Sequence, residues 1–457
     1  MLTLTFEQGT VLLDAPEQGP LPPSVTSPPW RWDSRVRRWR APAFAYRELV
    51  TAFHREKRPF VDQARTYPQL ELVHLAPRPP HPFQAEALTA WRQGGRRGIV
   101  ILPTGAGKTY VAELAIADAG RGTLVVTPTI DLMNQWYDGL VSAFGGEIGL
   151  LGGGYHEIKP ITVTTYDSAY LYLDKIGDRF ALLVFDECHH LPGPTYSQSA
   201  EWSIAPFRLG LTATLERPDG SHAMLERLIG PVVYRRDIKD LAGEFLADYE
   251  VFRLEVDLSE DEFEAYQAAR ALYREFLQAK QISMAAPDGF RRFIMMSARS
   301  DEGRAAFRAF RESRNIALAA PTKLEMLERL LVRHRRDRVL IFTHENSMVH
   351  EISRRFLIPT ITHHTDGKER KEILDRFREG TYPAIATSRV LNEGVNLPSA
   401  SVGIVLSGSS SVREHVQRLG RILRRQGDKE AILYEIITRR TLEERVSDRR
   451  REHNAYR

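Results

Sequence analysis

The chain has 457 residues, of which 42% are hydrophobic; this composition excludes a disordered chain, and the length suggests about three domains. Its 63 Lys and Arg residues nearly balance 59 Asp and Glu residues, so a nucleic-acid contact would have to come from local basic clusters. The single Cys excludes an internal disulfide framework, and no apolar run approaches the roughly 18 residues of a membrane span. We therefore expect a cytoplasmic protein that does not contact a membrane.

Residues 1–80 differ in composition from the rest of the chain. Alternating stretches at Leu2–Phe6 and Thr10–Leu13 predict β-strands, and four Pro residues within 76–83 predict a linker. Between them, tryptophan and arginine side chains interleave at Trp30, Arg31, Trp32, Arg35, Arg37, Arg38, Trp39 and Arg40. Aromatic rings stack on bases and arginines neutralise phosphates, so the cluster predicts a DNA contact. The alternative is that the tryptophans form a small core that the arginines cover.

Helices and strands alternate from Phe83 to Thr214, which predicts an α/β fold with a parallel sheet covered on both faces. The predicted helices are 84–91, 108–119 and 130–144. The predicted strands are 98–103, 123–128, 161–166, 181–187 and 209–214.

A glycine-rich segment, LPTGAGKT, lies between a predicted strand and a predicted helix. Gly105 and Gly107 let backbone N–H groups turn toward phosphates, and the helix N-terminus adds partial positive charge. Lys108 can reach the β- and γ-phosphates of ATP, and Thr109 can hold Mg²⁺. The predicted nucleotide-binding residues are Thr104, Gly105, Gly107, Lys108 and Thr109. The alternative is an ordinary glycine-rich turn with a surface lysine.

A second chemical signal is the acidic pair Asp186 and Glu187 at the end of the apolar strand Leu182–Phe185. Ligands bind at the carboxyl ends of parallel strands. Asp186 can hold the hydration shell of Mg²⁺, and Glu187 can accept a proton from an attacking water. The alternative is a solvated acidic turn. We do not favour a metal site at His189 and His190 because no third ligand is suitably spaced; coupling the nucleotide to a neighbouring strand is the better role for His189.

The second half of the chain begins with a charged, helical stretch at 260–320, where aromatic residues recur close to the helical period. From Lys323 the alternation returns and predicts a second parallel-sheet unit. Within QRLGRILRR, the side chains of Gln417, Arg421 and Arg424 share one helix face. Planar guanidinium groups suit the charge of a transferring phosphoryl group, so we expect these residues to act on ATP. The alternative is an ordinary basic helix.

Together these three elements resemble superfamily 2 helicases, in which ATP lies between two RecA-like domains. The segments TTYDSAY, DECHHLP, SIAPFRLGLTATLERPDG and EHVQRLGRILRR narrow the resemblance to the XPB family of DNA repair helicases, of the compact archaeal and bacterial type. The resemblance runs from Phe83 to about Ile437 and is weaker before it.

The resemblance implies three domains. Residues 1–80 would form a DNA-damage recognition domain and 81–245 the ATP-binding RecA-like domain. Residues 246–457 would form the second RecA-like domain, with a thumb-like helical insertion at about 260–310.

It also implies further site residues. Gln84 would lie beside adenine, and Thr129 and a loop with Arg217 and Asp219 would contact DNA. In the thumb, Arg291 and Arg292 suit phosphate contact, with a solvated helix face as the alternative. In the N-terminal domain, Trp32, Arg37 and Arg38 are the candidate DNA contacts.

Several residues depart from the family pattern. Cys188 stands where Val is common, and Pro218 replaces the Glu of an Arg-Glu-Asp loop. Asn392 and Asn396 stand where acidic residues are usual, and Leu102 replaces the first Gly of the longer phosphate-loop pattern. Weak coupling between ATP turnover and DNA opening would follow.

The implied activity is that of a DNA-dependent ATPase and 3′–5′ helicase or translocase of nucleotide excision repair, with ATP and Mg²⁺ as cofactors. We expect a monomer, associated with the nucleoid, that binds single-stranded, duplex or forked DNA, with a repair nuclease as a further candidate partner. The alternative is an ATP-gated DNA clamp or duplex translocase that recruits a nuclease and unwinds little. An RNA helicase is disfavoured by the DECH sequence.

Overall fold

The structure is a computed structural model that describes residues 2–15, 25, 29–215, 220–241, 245, 249–284, 286, 288–343, 345–388, 400–407 and 431–451. The chain divides into two compact units, one ending at Asp237 and the other beginning at Ile238. In the described ranges, the model contains no helix that combines the length and the apolar character needed to cross a membrane.

The first unit begins with a five-stranded sheet and one helix. Its strands are β1 (Leu2–Glu7), β2 (Thr10–Asp14), β3 (Arg31–Asp33), β4 (Arg38–Pro42) and β5 (Phe60–Asp62), and its helix is α1 (Tyr46–Arg55). The strand order is β3-β4-β2-β1-β5, antiparallel except for the parallel pair of β1 and β5. Leu4, Val11 and Leu13 alternate into the core against Phe53 of the helix, which confirms the predicted strands β1 and β2.

This N-terminal sheet is packed onto the first α/β sheet. Gly9, in the turn between β1 and β2, lies so close to Trp202 that an added Cβ atom would be 2.4 Å from Cδ1 of the indole. Arg47 Nη1 donates to the carbonyl oxygen of Pro206 at 2.9 Å, and Ile204 is part of the N-terminal core. The N-terminal sheet and the first α/β sheet therefore form one compact unit.

The first α/β sheet has eight strands in the order β13-β6-β12-β11-β7-β10-β8-β9. All neighbours are parallel except β8 and β9. The strands are β6 (Arg97–Ile101), β7 (Thr123–Thr127), β8 (Ile148–Gly152), β9 (Tyr155–Glu157), β10 (Ile161–Thr165), β11 (Leu182–Asp186), β12 (Phe207–Thr212) and β13 (Val232–Arg235). The five strands predicted in this region are confirmed.

Helices cover this sheet. They are α2 (Pro82–Gln93), α3 (Lys108–Ala119), α4 (Ile130–Phe144), α5 (Tyr166–Ile176), α6 (Tyr196–Glu201) and α7 (Met224–Leu228). The three predicted helices are confirmed, and the structure adds α5, α6 and α7, which were not among the predicted helices. The central strands are buried along their whole length, as expected when helices lie on both faces.

The second unit has a six-stranded, all-parallel sheet in the order β14-β19-β18-β15-β17-β16. The strands are β14 (Tyr249–Val256), β15 (Val339–Phe342), β16 (Thr360–Ile361), β17 (Ala384–Thr387), β18 (Val402–Val405) and β19 (Ala431–Thr438). The helices are α8 (Ile238–Leu241), α9 (Glu260–Ala279), α10 (Gly289–Ser297), α11 (Asp301–Leu318), α12 (Pro321–Arg333), α13 (Asn346–Phe356), α14 (Gly367–Glu379) and α15 (Leu442–Arg451). The second parallel-sheet unit is therefore confirmed.

The helical insertion has its own aromatic core. Phe276 and Phe293 contact at 6.2 Å between ring centroids, and Phe293 also contacts Phe310 at 5.5 Å. A separate buried ion pair joins α12 to α15, because Lys323 Nζ lies 2.5 Å from Glu443 Oε2, and Lys323 also donates to the carbonyl oxygen of Leu406 just after β18. The predicted helices at 260–320 are confirmed.

The packing of Gly9 against Trp202 gives a test of the first unit. Gly9 has φ of +72°, so Gly9→Ala combines backbone strain with a clash against the indole ring. We expect a loss of about 2 kcal/mol in the free energy of unfolding, measured by urea titration. Gly139→Ala is the matched control, since an added Cβ there meets nothing within 4 Å inside a helix and should stabilise by up to about 1 kcal/mol. Equal stability of the two variants would contradict the described contact.

Candidate active site

The glycine-rich loop connects β6 to α3 at the carboxyl end of the sheet. Gly105 has φ of +92° and Gly107 has φ of +77°, conformations that an L side chain rarely adopts. Gly107 is the N-cap of α3, so the backbone N–H groups of the first helical turn point into the loop. Lys108 Nζ lies 3.3 Å from the carbonyl oxygen of Leu102, so the ammonium group folds back across the loop. This arrangement presents N–H donors and one cation to an anion.

The side-chain amide of Gln84 forms hydrogen bonds that hold the phosphate loop. Its Oε1 accepts from the backbone N–H of His81 at 3.0 Å, and its Nε2 donates to the carbonyl oxygen of Ala106 at 3.0 Å. A Cβ atom on Gly107 would lie 2.6 Å from Nε2, so this amide is a second reason why residue 107 is glycine. The amide, predicted to lie beside adenine, is thus held at the phosphate loop.

Asp186 ends the buried strand β11. Its Oδ1 accepts from the backbone N–H of Glu187 at 3.0 Å, and its Oδ2 accepts from the indole N–H of Trp136 at 2.7 Å. Burial, together with the neighbouring Glu187 carboxylate, raises the pKa of Asp186 to about 6. An ionised carboxylate accepts about four hydrogen bonds, so it retains capacity for about two more.

Glu187 is held in a strained backbone conformation just after the strand. Its φ of +45° is left-handed, which is uncommon for a non-glycine residue and costs of order 1 kcal/mol or more. Its Oε2 is buried and accepts no hydrogen bond from the described residues, although His189 Nδ1 lies 3.4 Å away. A strained carboxylate with an unsatisfied oxygen suits a general base.

Thr212, the last residue of β12, contacts both the phosphate loop and the segment that follows β11. Its carbonyl oxygen accepts from the N–H of Leu102 at 3.1 Å, at the start of the phosphate loop. Its hydroxyl donates to the carbonyl oxygen of Thr214 at 2.7 Å and contacts His189 Nδ1 at 3.0 Å. Because the hydroxyl proton is directed to Thr214, His189 Nδ1 is the donor in that contact. His189 was predicted to couple the nucleotide to a neighbouring strand, and Thr212 at the end of β12 is the residue of such a strand that it contacts.

The polar atoms around the loop fit a magnesium nucleotide. The hydroxyl oxygen of Thr104 is buried and makes no hydrogen bond within the described residues, and Thr109 is exposed on the first turn of α3. The described ranges hold no cluster of three or more His, Cys, Asp or Glu residues that could bind a metal by themselves. Mg²⁺ usually binds through one or two protein oxygens together with phosphates and water, and Thr109 and Asp186 are the candidate protein ligands here.

Three family models match the chain in order. The model for the xeroderma pigmentosum group B helicase damage recognition domain matches residues 4–64. The model for the type III restriction enzyme res subunit matches residues 78–217, and the helicase conserved C-terminal domain matches residues 322–426.

Individual relatives match this chain over longer stretches. The chain is 40% identical over 457 residues to the DNA 3′-5′ translocase XPB2 of Sulfurisphaera tokodaii, covering 99% of this chain and 100% of the relative. This chain belongs to the XPB helicase family. It is also 31% identical to the DNA 3′-5′ helicases XPB of Kineococcus radiotolerans and Mycobacterium tuberculosis, covering 79% of this chain but only 60% and 61% of those relatives.

The XPB-family fold is shared more widely. The helicase domain of Pyrococcus furiosus Hef aligns with a TM-score of 0.53 at 18% identity, covering 80% of this chain and 97% of that structure. This likeness supports the fold with two RecA-like domains that the sequence predicted.

The predicted DNA contacts fall into different environments. Thr129 is the N-cap of α4, and its hydroxyl accepts from the N–H of Leu132 at 3.3 Å. Arg291 and Arg292 are both exposed on α10. Their contact with DNA stays a prediction for this XPB-family chain.

In the N-terminal sheet, the tryptophan cluster is divided between the core and the surface. Trp30 is 6% exposed and belongs to the core, whereas Trp32 is 53% exposed. Many of the arginine charges are paired, since Arg35 and Arg40 both contact Asp33, and Arg38 lies 3.4 Å from Asp14. Arg31, Arg35 and Arg37 are all exposed together with Trp32, so basic and aromatic side chains are both present at the surface of this sheet, and their contact with DNA stays a prediction.

Several predicted residues lie outside the described ranges. The predicted phosphoryl-contacting helix contains three of them, Gln417, Arg421 and Arg424. The loop predicted to contact DNA contains Arg217, Pro218 and Asp219, and the remaining two are Asn392 and Asn396. Their roles stay predictions carried by resemblance to the XPB family.

Sequence analysis did not identify Trp136 and Tyr166 as partners of Asp186, to which both side chains donate a hydrogen bond. Tyr166 Oη donates to the carbonyl oxygen of Asp186 at 3.0 Å. Aromatic residues in apolar helices are ordinary core residues by pattern, so no local signal distinguishes these two.

Cys188 gives a test of the packing beneath the acidic pair. The thiol is fully buried, and burial raises its pKa well above the usual value. A thiol reagent such as dithionitrobenzoate should therefore not label the folded protein at neutral pH, and ATP turnover should be unaffected by treatment. Because the chain has one Cys, one equivalent should react after unfolding in guanidinium. Rapid labelling of the folded protein would show that this region opens.

Proposed function

We propose that this protein is a DNA-dependent ATPase of the XPB family that uses ATP hydrolysis to move 3′→5′ on DNA or to open it during repair. The observation that supports the proposal most directly is that Thr212 bonds both to Leu102, at the start of the phosphate loop, and to His189, two residues after Glu187. This supports a site in which the anion-binding loop and the acidic pair act together, in a chain that belongs to a helicase family.

The residues of the loop would bind the triphosphate. The N–H groups of the loop and the Lys108 ammonium neutralise the β- and γ-phosphates, and Gln84 holds the loop in the receptive conformation. Thr109 and Asp186 would hold Mg²⁺, which on binding neutralises charge on the phosphate oxygens. The buried hydroxyl of Thr104 gains a partner when an anion enters.

Glu187 would accept the proton of the attacking water. Its Oε2 has no hydrogen-bond donor among the described residues, so it can take a proton without first breaking an internal bond. His189 stays close to the same oxygen while it bonds to Thr212. A change in the charge of Glu187 would therefore act on Thr212, at the end of β12, through His189. Gln417, Arg421 and Arg424 would add positive charge to the transferring phosphoryl group.

DNA is the proposed polymer because the relatives are named as DNA helicases or translocases. A monomer, a nuclease partner and association with the nucleoid are further proposals that rest on family resemblance. The clamp alternative rests on Pro218, Asn392 and Asn396, and the described part of the chain offers no observation that favours it.

Substitution at the acidic pair separates binding from turnover. Glu187→Gln should keep magnesium-nucleotide affinity within about two-fold and lower the ATPase rate by about 10²–10⁴-fold, the usual contribution of a general base. Lys108→Ala is the contrasting variant, since loss of the ammonium should weaken nucleotide binding itself. The measurements are equilibrium binding of a fluorescent ATP analogue and phosphate release. Normal hydrolysis by Glu187→Gln would show that another group is the base.

The polymer and the outcome of hydrolysis can be tested together. We expect single-stranded, duplex or forked DNA to stimulate phosphate release more than RNA does, and a forked substrate with a 3′ tail to be opened faster than one with a 5′ tail. The Glu187→Gln variant should bind the fork without opening it. Steady, DNA-stimulated hydrolysis with no strand displacement would favour a duplex translocase or clamp over a helicase. Stronger stimulation by RNA would overturn the DNA assignment.

A further inference from the structure

The carboxylate of Asp186 accepts a hydrogen bond from a side chain of helix α4. The indole nitrogen of Trp136 lies 2.7 Å from Oδ2, a short hydrogen bond to a charged acceptor. Trp136 is 2% exposed and Asp186 is 7% exposed, so neither group exchanges this contact for water. The bond spans 50 positions in sequence and joins α4 to the end of β11.

This hydrogen bond restricts the orientation of the Asp186 carboxylate because each of its two oxygens accepts from a different protein donor. The N–H of Glu187 occupies one acceptor site on Oδ1, and the indole occupies one on Oδ2. With both oxygens anchored, the carboxylate cannot rotate about its Cβ–Cγ bond without losing a buried hydrogen bond. The remaining lone pairs are therefore fixed in direction and face away from the two protein donors.

We propose that Trp136 is a positioning residue that orients the Asp186 carboxylate to receive the hydrated Mg²⁺ of the bound nucleotide. The proposal rests on the proposed ATPase function and adds a residue to it. Trp136 is buried and its indole N–H bonds to Asp186, so its substitution should change the magnesium requirement more than the affinity for nucleotide alone.

The chain contains a matched control. Trp91 is 1% exposed, and its indole nitrogen donates to the carbonyl oxygen of Arg208 at 2.9 Å in the same compact unit. Trp91→Phe and Trp136→Phe each remove one buried indole and one hydrogen bond. They differ in that only Trp136 contacts a carboxylate of the acidic pair.

The experiment titrates Mg²⁺ against a fluorescent ADP analogue bound to each purified full-length protein, with EDTA as the metal-free point. We expect Trp136→Phe to raise the half-saturating Mg²⁺ concentration about ten-fold or more, as for loss of one hydrogen bond to a charged group. Affinity in EDTA should stay within about two-fold. Trp91→Phe should leave both values near wild type while lowering the melting temperature by a similar amount.

Unchanged magnesium dependence of a folded Trp136→Phe variant would overturn the proposal and leave the tryptophan a packing residue. Failure of the wild-type protein to bind the nucleotide would instead overturn the proposed function, so the two failures are distinct.

A measurement on the wild-type sequence covers the case in which Trp136→Phe does not fold. The protein has six tryptophans, and 5-fluorotryptophan labelling gives one ¹⁹F resonance for each. The Trp136 resonance is assigned by the variant itself or by elimination with the other five replaced singly. Adding Mg²⁺ at saturating ADP should shift the Trp136 resonance and leave that of Trp91 in place. An unmoved Trp136 resonance would overturn the proposal.

Discussion

The candidate site depends on Thr212, because the two segments that bear its chemistry leave the sheet from strands that are not neighbours. β12 separates β6, which leads into the phosphate loop, from β11, which ends in Asp186. The register pairs Thr212 with Ile101 on one side and Leu211 with Asp186 on the other, so the two loops emerge about 10 Å apart at the same edge. One residue at the end of the middle strand can contact both, and Thr212 does so through its carbonyl oxygen and its hydroxyl. A side chain without a hydroxyl would keep the strand pairing but lose the contact with His189.

Asp186 is the second point at which distant parts of the unit meet. Trp136 belongs to α4, whose first turn is capped by Thr129, and Tyr166 begins α5 directly after the strand β10. Trp136 donates a hydrogen bond to the carboxylate of Asp186, and Tyr166 donates one to its backbone carbonyl oxygen. A displacement of either helix relative to β11 would therefore alter the position of a carboxylate proposed to serve Mg²⁺. This geometry offers a direct physical route by which a bound strand could affect ATP turnover.

Much of the fold and the two loops could be predicted from the sequence because their signals are local. Buried strands appear as apolar runs, and Gly105 and Gly107 mark positive φ values at the positions where the loop needs them. The bonds of Gln84, Trp136 and Thr212 could not be predicted, since they join residues 22 or more positions apart whose proximity follows from strand order. The division of the tryptophan cluster between core and surface has a related reason. Trp30 and Trp32 have the same chemistry and neighbouring positions, and only the packing of the sheet decides that one is core and the other exposed.

The N-terminal sheet, which resembles a damage-recognition domain, also contacts the elements around Asp186. Its β1–β2 turn packs against Trp202, and Trp202 stacks on Tyr170 of α5 with ring centroids 5.4 Å apart. Tyr170 lies one helical turn after Tyr166, which bonds to the backbone of Asp186. The β1–β2 turn therefore contacts a ring that stacks on α5, and the first residue of the same helix bonds to the backbone of Asp186, all within one compact unit. A shift of that turn relative to the α/β sheet would thus act first on α5, the helix that contacts the end of β11.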